Sequence, residues 1–377
     1  MKILFWLNTF LPDLGGIQTF TADLLPHLRE QGHEIILIAD HGESKRPPFA
    51  LHGDVPVHCF DTIGPLFRQN PAGIIRTRIA IQKLINEFQP DLIHLHPCGP
   101  EILYYLQITK TRPIPTVVTV HNNYETRNVR PTLDTGFGKM LAQAGQITTV
   151  SNEILDWILG YHPEFADKSQ ALLNGISPQT HPVKPLPWEP PTLLSLGRLA
   201  PQKQIDVLLK AFQIVNKSHP AACLKIVGDG PEADTLKTLA VQLEIDHVVD
   251  FPGRVHNSEV AELFNQATLF VMSSQHEGLP IAALEASQMA RPIVSTRVGG
   301  MDQVVLSGET GLLVEAGDVV GLAASINTLL QNKEMAETFG HAAQDRVKNH
   351  FGMAKCAAKY NEVYKRLVTP VGECADV

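Results

Sequence analysis

The chain has 377 residues, 44% of them hydrophobic and 19% charged, which is the composition of an ordinary folded protein with room for two domains. Its formal net charge of −8 argues against a protein that binds nucleic acid through phosphate contacts. The five cysteines are scattered and form no Cys-x-x-Cys pair, so they indicate neither a disulfide framework nor a zinc site and predict a reducing, cytoplasmic location.

The first half of the chain alternates predicted strands and helices. Its first apolar run, residues 3–7, ends at Asn8 and predicts a buried strand instead of a secretion signal. Gly15-Gly16 then opens an amphipathic helix over 17–31, in which Pro26 predicts a kink. Further strands are predicted at residues 35–39, 55–59, 91–96, 115–120 and 147–150. This order predicts parallel strands with right-handed crossovers, and no run approaches the roughly 20 apolar residues of a membrane span.

Residues at the ends of these strands are the first site candidates. The backbone at Gly15 and Gly16 could approach an anion closely, or it could form a plain flexible turn. His121 follows the strand at 115–120, and ligands of open α/β sheets bind beyond the carboxyl ends of strands, although a structural histidine fits the same place. His94 and His96 share a strand face, but no third ligand stands at a spacing that would support a metal site.

A predicted helix over 74–88 is both apolar and basic. Arg76, Arg78 and Lys83 alternate with isoleucines, and Arg68 lies just upstream. A basic amphipathic helix can lie on an anionic membrane, and a half-solvated helix that covers a sheet has the same pattern. The segment 66–88 is therefore a candidate for peripheral contact with the inner face of a membrane, and the solvated helix remains the alternative.

The composition changes between Asn174 and Pro191, where a turn pattern and six prolines predict an interdomain linker. A second α/β series follows. Its strands are predicted at 192–196, 222–227, 247–251, 268–272, 292–295 and 311–314, and its helices at 204–217, 231–243, 258–266, 280–290 and 318–331. Two helices at 334–349 and 353–367 follow, and the last is a candidate to cross back to the first domain.

The stretch from Ser273 to Glu285 has the strongest chemical pattern in the chain. A buried strand at 268–272 stops at a polar loop, and Pro280 then stands where the first residue of a helix is tolerated. The N–H groups at that helix N-terminus suit a phosphate. Glu277 and Glu285 could contact the hexose and the ribose of a sugar nucleotide; alternatively, Glu277 caps the helix and Glu285 is a surface residue.

Six short motifs follow one another along nearly the whole chain. They are Gly15-Gly16-Ile-Gln, Gly197-Arg198-Leu-x3-Lys203, Gly228-Asp-Gly230-Pro231-Glu, Glu277-Gly-Leu-Pro-x4-Glu285, Val298-Gly-Gly300 and Gly311-Leu-Leu-Val. In this order they resemble the retaining glycosyltransferases of family four. The resemblance implies the α/β GT-B fold, in which two Rossmann-like domains face each other across a cleft. The domains implied are an acceptor-binding domain, 1–175, with the segment 353–377 packed back on it, and a donor-binding domain, 176–352.

The resemblance also implies a role for each matching residue. Arg198 and Lys203 would meet the donor diphosphate and neutralise it as it leaves, because arginine offers a fork of donors and lysine a point charge. Glu277 would contact the hexose, and His121 would lie by the same sugar. The implied donor-binding residues are Gly15 and Gly16 at the phosphates, Arg254 and Val255 at the base, Gly278, Leu279 and Pro280 with their backbone groups, and Glu285 at the ribose hydroxyls.

The implied reaction moves a hexose from a nucleotide-diphosphate sugar, with a UDP-sugar favoured, to a hydroxyl of a glycan, lipid or small-molecule acceptor. Retention suggests a front-face displacement, in which Glu277 positions the sugar and stabilises charge instead of acting as a glycosidase-type nucleophile. No Asp-x-Asp is present, so no metal and no cofactor are expected, since Arg198 and Lys203 take over the charge.

The sequence departs from the family pattern at secondary positions. Gln204 stands where a glycine often follows the lysine, and Met301-Asp302-Gln303 stands where an acidic residue often follows Val-Gly-Gly. The Val298-Gly-Gly300 motif itself could be a structural turn. Two other functions stay open. A nucleotide-sugar epimerase shares this fold but needs an acid/base arrangement around the sugar, and a non-catalytic nucleotide-sugar sensor need not keep the Arg-Lys-Glu-Glu set together.

Overall fold

The structure is a computed structural model that describes residues 1–13, 15–42, 45–124 and 129–368. It divides into two compact units. The first unit comprises Met1–Gly175 and the segment from Met353 onward, and the second unit comprises Ile176–Gly352. Residues 369–377, the end of the segment predicted to pack on the first domain, lie outside the described residues.

Strands and helices alternate along the described ranges, as predicted. Five of the helices were not predicted, namely Gly64–Phe67, Glu101–Thr109, Gly136–Gln143, Asn152–Tyr161 and Met301–Val304. The strands are β1 Lys2–Leu7, β2 Glu34–Asp40, β3 Phe49–His52, β4 Val55–Phe60, β5 Leu92–His96, β6 Thr116–Val120, β7 Gln146–Thr149, β8 Ser169–Ala171, β9 Thr192–Leu196, β10 Cys223–Val227, β11 Val249–Gly253, β12 Leu269–Met272, β13 Ile293–Thr296 and β14 Gly311–Val314. The helices are α1 Gly16–Glu30, α2 Gly64–Phe67, α3 Pro71–Phe88, α4 Glu101–Thr109, α5 Gly136–Gln143, α6 Asn152–Tyr161, α7 Ile205–Ser218, α8 Ala233–Gln242, α9 Val260–Asn265, α10 Ile281–Gln288, α11 Met301–Val304, α12 Val319–Gln331, α13 Lys333–His350 and α14 Met353–Val368.

The sheet of the first unit has the strand order β3-β4-β2-β1-β5-β6-β7-β8. The neighbouring strands are parallel, as predicted, except for the antiparallel pair β3 and β4. The sequence did not predict β3 and β8. Both are short edge strands of four and three residues that bury no side chain fully, so they lack the apolar run that marks a central strand.

Helix α14 completes the core of the first unit, although it is far from that unit in sequence. Its Tyr360 ring packs on Phe20 of α1, and its Tyr364 ring packs on His94 of β5. Met353 and Val363 are also buried, and burying an apolar side chain of this size contributes about 1.5–3 kcal/mol.

Helix α3 begins three residues earlier than its apolar periodicity predicts. The side chain of Asn70 caps it by accepting a hydrogen bond from the Gly73 N–H at 3.0 Å. Pro71 occupies the first helical position, where its missing N–H costs no hydrogen bond. The exposed face of α3 carries Ile75 and Ile79, which are 51% and 57% exposed.

The sheet of the second unit is parallel throughout and has the order β11-β10-β9-β12-β13-β14. The chain builds outward from β9 to β11 and then returns to the other side of β9 with β12. Loops that follow β9 and β12 therefore leave neighbouring strands in diverging directions, and such a reversal of strand order is where open α/β sheets bind ligands. Within the described ranges, no helix combines the length and the apolar composition that crossing a membrane requires.

Candidate functional site

Two loops meet at the carboxyl edge of the second sheet. One follows β9 and runs from Gly197 to Lys203, and the other follows β12 and runs from Ser273 to Pro280. They line a common pocket whose polar residues include Ser195, Arg198, Lys203, Ser273 and Ser274. Strand order alone brings these loops together, because β9 and β12 are hydrogen-bonded neighbours.

An ion pair joins the two loops. The Nζ of Lys203 lies 2.6 Å from Oε1 of Glu277, and the two side chains are only 22% and 10% exposed. The hydroxyl of Ser274 donates a second hydrogen bond to the same oxygen at 2.6 Å. The other carboxylate oxygen, Oε2, makes no hydrogen bond with a described residue. Glu277 is therefore anchored through one oxygen and has the other available for a ligand hydroxyl.

Backbone hydrogen bonds hold the loops at this distance. The N–H of Gln275 donates to the carbonyl of Gln202 at 2.8 Å, and the hydroxyl of Ser273 donates to the carbonyl of Lys203 at 3.0 Å. The hydroxyl of Thr296 on β13 donates to the carbonyl of Ser274 at 2.6 Å. Because three strands contribute, the positions of Lys203 and Glu277 do not depend on their ion pair alone.

The Val298-Gly-Gly300 motif packs against the backbone of the loop that carries Glu277. The N–H of Gly300 donates to the carbonyl of Gly278 at 2.6 Å. A Cβ at Gly299 would lie 2.0 Å from the carbonyl oxygen of Glu277, and the φ of Gly299 is +58°. Only glycine fits this contact, so the motif has a structural role as a turn.

The conformation of Gln204 explains why the family often has glycine after the lysine. Gln204 follows the 3-10 turn Pro201–Lys203 and adopts φ 45° and ψ 46°, which is the left-handed region. Its buried Oε1 also has no hydrogen-bond partner among the described residues. The chain therefore keeps the turn that presents Lys203 at a cost in backbone strain.

The predicted donor-binding residues of the second unit surround this pair on several elements. Arg198 is exposed beside the pocket, and Glu285 is half-buried in α10. Arg254 follows β11, with its Nε 3.6 Å from Oδ2 of Asp229, and the next residue, Val255, is half-buried. Asp229, for which the motifs predicted no role, forms this salt bridge with Arg254 at the surface.

Helix α10 begins at Ile281, and Pro280 is its N-cap residue instead of its first helical residue. No side chain caps this helix. The alternative that Glu277 serves as its cap is therefore wrong, because the Glu277 carboxylate binds Lys203 and Ser274. The chain before the helix, from Gly278 to Pro280, is buried. The uncapped N-terminus leaves N–H groups and partial positive charge for an anion.

In the first unit, Gly15 and Gly16 begin α1 on the surface. Gly15 is the N-cap residue, its backbone is extended, and no side chain caps the helix. Both glycines are exposed, so their N–H groups are accessible to an anion. Any residue could adopt the extended backbone of Gly15. The predicted advantage of glycine here is that an anion can approach the backbone closely, and it does not depend on a special dihedral angle.

His121 lies within a buried hydrogen-bonded group of histidines. Its Nε2 is 2.7 Å from Nδ1 of His96, while His94 bonds Thr119 through Nε2 at 2.7 Å and Tyr364 through Nδ1 at 2.7 Å. Burial lowers the pKa of His121 to about 3 and lowers the pKa values of His94 and His96 well below their usual range. All three imidazoles are therefore neutral at neutral pH.

These histidines hydrogen-bond to one another and to hydroxyl groups. Among the described residues, no group of three or more His, Cys, Asp or Glu side chains could hold a metal ion. The ring nitrogens of His94 bind a hydroxyl on each side, and those that join His96 to His121 share one proton. The pattern of alternating histidines predicts a shared face correctly but not its chemistry.

A buried carboxyl group lies near the carboxyl end of β5. Glu101 begins α4, and its Oε1 accepts hydrogen bonds from the backbone N–H groups of Cys98 and Gly99 at 2.5 and 2.7 Å. Its Oε2 has no partner among the described residues. Burial raises the pKa of Glu101 to about 7, against the effect of these two hydrogen bonds. The sequence reasoning missed this residue, because a single Glu after a Gly-Pro turn is typical of a solvated helix start.

Comparison with known proteins identifies the family. The family description "Glycosyl transferases group 1" matches residues 177–346, and "Glycosyltransferase Family 4" matches residues 14–180. The chain is a family 4 glycosyltransferase. The resemblance inferred from six motifs is thereby confirmed, and the two matches together span both units.

Individual relatives of this glycosyltransferase cover nearly its whole length. It is 26% identical over 373 residues to the N-acetyl-alpha-D-glucosaminyl L-malate synthase of Bacillus anthracis, covering 94% of this chain and 95% of that protein. Sucrose-phosphate synthase from Thermosynechococcus elongatus has a TM-score of 0.83 at 20% identity, over 97% of this chain and 98% of that one. HepE of Anabaena, solved in complex with UDP-glucose, has a TM-score of 0.81 at 19% identity, over 97% and 100%. These structural matches confirm the GT-B fold.

Proposed function

We propose that this glycosyltransferase moves a hexose from a nucleotide-diphosphate sugar, with a UDP-sugar as the favoured donor, to a hydroxyl of a glycan, lipid or small-molecule acceptor. The observation that carries the proposal is the Lys203–Glu277 pair, at 2.6 Å, beside the uncapped N-terminus of α10. A donor diphosphate needs cations and N–H groups, and its sugar needs a hydroxyl acceptor. The complex of HepE with UDP-glucose supports the choice of donor.

Each residue of the pair has a distinct role in this proposal. Lys203 and the exposed Arg198 bind the diphosphate and neutralise the charge that grows as the glycosidic bond breaks. Glu277 accepts a hydrogen bond from the hexose through its Oε2 and keeps Lys203 oriented through its Oε1. Glu285 binds the ribose, and the segment at Arg254 and Val255 binds the base. In the first unit, His121 and the N–H groups of Gly15 and Gly16 are the groups proposed to contact a sugar hydroxyl or a phosphate.

We propose that the reaction retains the anomeric configuration and needs no metal ion. The cationic side chains and the N-terminus of α10 supply the positive charge that a metal would otherwise provide. Glu277 shares one oxygen with Lys203 and Ser274, which suits positioning more than nucleophilic attack. Full activity after EDTA treatment, and a product of the same anomeric configuration as the donor, are the expected results; a trapped glycosyl-Glu277 adduct would contradict this mechanism.

We also propose that α2 and α3 bring the protein to an anionic membrane surface, from the inner, cytoplasmic side. Phe67 is 85% exposed, and Ile75 and Ile79 lie on the exposed face of α3 beside Arg76. An apolar stripe with a cation is the pattern of an interfacial helix. Flotation with phosphatidylglycerol vesicles tests this, with an Ile75→Ser/Ile79→Ser variant expected to bind less. The control is Val320→Ser, which removes a 70% exposed valine from the second unit.

The donor site is tested by calorimetric titration of UDP, GDP and ADP into the full chain. One nucleotide is expected to bind, and Lys203→Ala is expected to weaken its binding. Lys210→Ala is the matched control, because Lys210 pairs with Asp206 on the surface of the same unit at 2.8 Å. Failure of all three nucleotides to bind would contradict the proposal and favour an inactive relative. Release of free nucleotide only when an acceptor is present would favour transfer, and an epimerised nucleotide sugar formed without an acceptor would favour the epimerase.

A further inference from the structure

His96 and His121 meet through their ring nitrogens, and this contact restricts where their protons lie. The Nδ1 of His96 is 2.7 Å from the Nε2 of His121, and the two ring planes differ by 25°. Both side chains are buried and neutral, as their lowered pKa values require. A neutral imidazole carries one proton, so one nitrogen of this pair donates and the other accepts.

Two arrangements satisfy this hydrogen bond. If His96 donates from Nδ1, its Nε2 is a bare acceptor and His121 carries its own proton on Nδ1. If His121 donates from Nε2, its Nδ1 is bare and His96 carries its proton on Nε2. The surroundings of the His96 Nε2 atom therefore determine the tautomer of His121.

The Nε2 atom of His96 is buried and has no hydrogen-bond partner among the described residues. The rings of Phe5 and His94 lie beside His96, but their planes are tilted from its plane by only 20° and 36°. An N–H group lies in the plane of its own ring, so it would not point at either aromatic face. Buried N–H groups without an acceptor are rarer in proteins than buried acceptors without a donor. A bare Nε2 on His96 is therefore favoured.

We propose that His96 is a positioning residue that donates its Nδ1–H to His121 and thereby holds the proton of His121 on Nδ1. The Nδ1 of His121 makes no hydrogen bond with a described residue, so it presents an N–H donor. Its ligand is an oxygen atom of a bound substrate, in a sugar hydroxyl or a phosphate. This assignment rests on the function proposed above, and it makes His121 a neutral hydrogen-bond donor and not a general base.

The tautomer is measured directly by nitrogen–proton correlation spectra of the full chain labelled with ¹⁵N-histidine. The chain has 16 histidines, and the spectrum of the His121→Asn variant identifies the His121 signals by their loss. The expected wild-type result is a protonated Nδ1 and a bare Nε2 on His121, without any substrate added. A protonated Nε2 on His121 would overturn the proposal.

Two substitutions at residue 96 test its part in this arrangement. His96→Asn keeps a side-chain N–H close to the position of Nδ1, so the tautomer of His121 is expected to persist. His96→Asp offers only an acceptor, so the proton of His121 is expected to move to Nε2. His33→Asn is the control, because His33 forms a separate hydrogen bond, with the side chain of Asn361. A tautomer that His96→Asp leaves unchanged, or that His96→Asn reverses, would show that His96 does not set it.

Failure of this inference is distinguishable from failure of the proposed function. The tautomer is read without substrate, whereas the function is tested by titration of UDP, GDP and ADP. Absence of nucleotide binding in a wild type with the expected tautomer would contradict the function alone. Nucleotide binding in a wild type with a protonated Nε2 on His121 would contradict the inference alone.

Discussion

The two sheets have the same strand topology at their centres, but the side chains at their carboxyl edges are charged in one sheet and neutral in the other. In each unit one strand lies where the strand order reverses, β1 between β2 and β5 in the first and β9 between β10 and β12 in the second. Beyond β9 and β12 stands a charged pair, Lys203 and Glu277. At the ends of β5 and β6, next to β1, stand the neutral imidazoles of His96 and His121.

The difference in charge follows from whether each residue lies in a loop or in a buried strand. Lys203 and Glu277 belong to loops that have left the sheet, so they stay partly exposed and remain paired as ions. His96 is the last residue of β5, and both it and His94 have no exposed surface. A charged imidazole at either position would lose its hydration without gaining an ionic partner, so both imidazoles stay neutral. The same topology therefore provides an ionic site in one unit and a neutral hydrogen-bonding site in the other.

The largest effect is expected from a substitution that removes one partner of the Lys203–Glu277 ion pair. Lys203→Ala is expected to lower the rate of transfer from the selected nucleotide sugar by about 100- to 1000-fold, because it removes the charge that stabilises the leaving diphosphate. Steady-state kinetics with Lys210→Ala as the matched control measure this effect. Equal rates for the two variants would remove Lys203 from the proposed mechanism.

A second prediction concerns the first unit, where burial and not pairing sets the charge of a carboxyl group. Burial raises the pKa of Glu101 from its ordinary value of 4.5 to about 7 in the folded chain, so the folded state binds the proton more tightly. Stability is therefore full below pH 4.5 and falls as the pH rises through 7, by about 3 kcal/mol in total.

Glu101→Gln is expected to lack this loss, so its free energy of unfolding relative to wild type should rise between pH 5 and pH 8. Urea titrations of both proteins at the two pH values measure the difference. Nucleotide binding by the second unit should not change. A constant difference in stability across this pH range would contradict the raised pKa.

A third prediction tests the support under Glu277. Gly299→Ala places a Cβ 2.0 Å from the Glu277 carbonyl oxygen and is strained by its positive φ of +58°. The expected cost is about 2 kcal/mol in stability, with a loss of donor turnover, because the Glu277 loop must move. Gly317→Ala is the matched control, since Gly317 has φ +80° but nothing within 4 Å of an added Cβ. Urea unfolding should show a smaller loss for the control; equal losses would mean that strain alone matters.

The smallest effect is expected from a substitution at Gln204, the left-handed residue that follows Lys203. Gln204→Gly relieves a left-handed residue at φ 45° and removes the unpaired Oε1, so it should stabilise the protein by about 1 kcal/mol. Thermal unfolding measures the gain, and nucleotide affinity should stay the same. A loss of stability would mean that the Gln204 side chain makes a favourable contribution that outweighs its strain.

Much of the fold was predictable because each central strand is an apolar run between polar loops. Element positions in the second unit agree with their predictions within about two residues, as at β9 and β14. The edge strands β3 and β8 were missed, since an edge strand buries little and has no such run. The helices α2, α4, α5, α6 and α11 were missed as well. The helix boundary at Pro280 was one residue off, because a proline suits both the N-cap and the first turn.

The candidate site was predictable as a set of residues but not as an arrangement. Glu277, Lys203 and Arg198 were named from short motifs, and two of them form an ion pair in the structure. Ser274 was missed, although its place between a strand and Glu277 was a usable indication of a hydrogen bond. His96 was considered only as a metal ligand, because the sequence does not show that it meets His121.

The sequence by itself determined the class of fold, the family and the loops that carry charged residues, because these depend on local periodicity and on motifs of a few residues. Tertiary structure alone decided which side chains meet. Lys203 and Glu277 are 74 residues apart in sequence and are joined by the adjacency of β9 and β12. His96 and His121 meet because β5 and β6 are neighbours, and their neutral state follows from a burial that no single segment encodes.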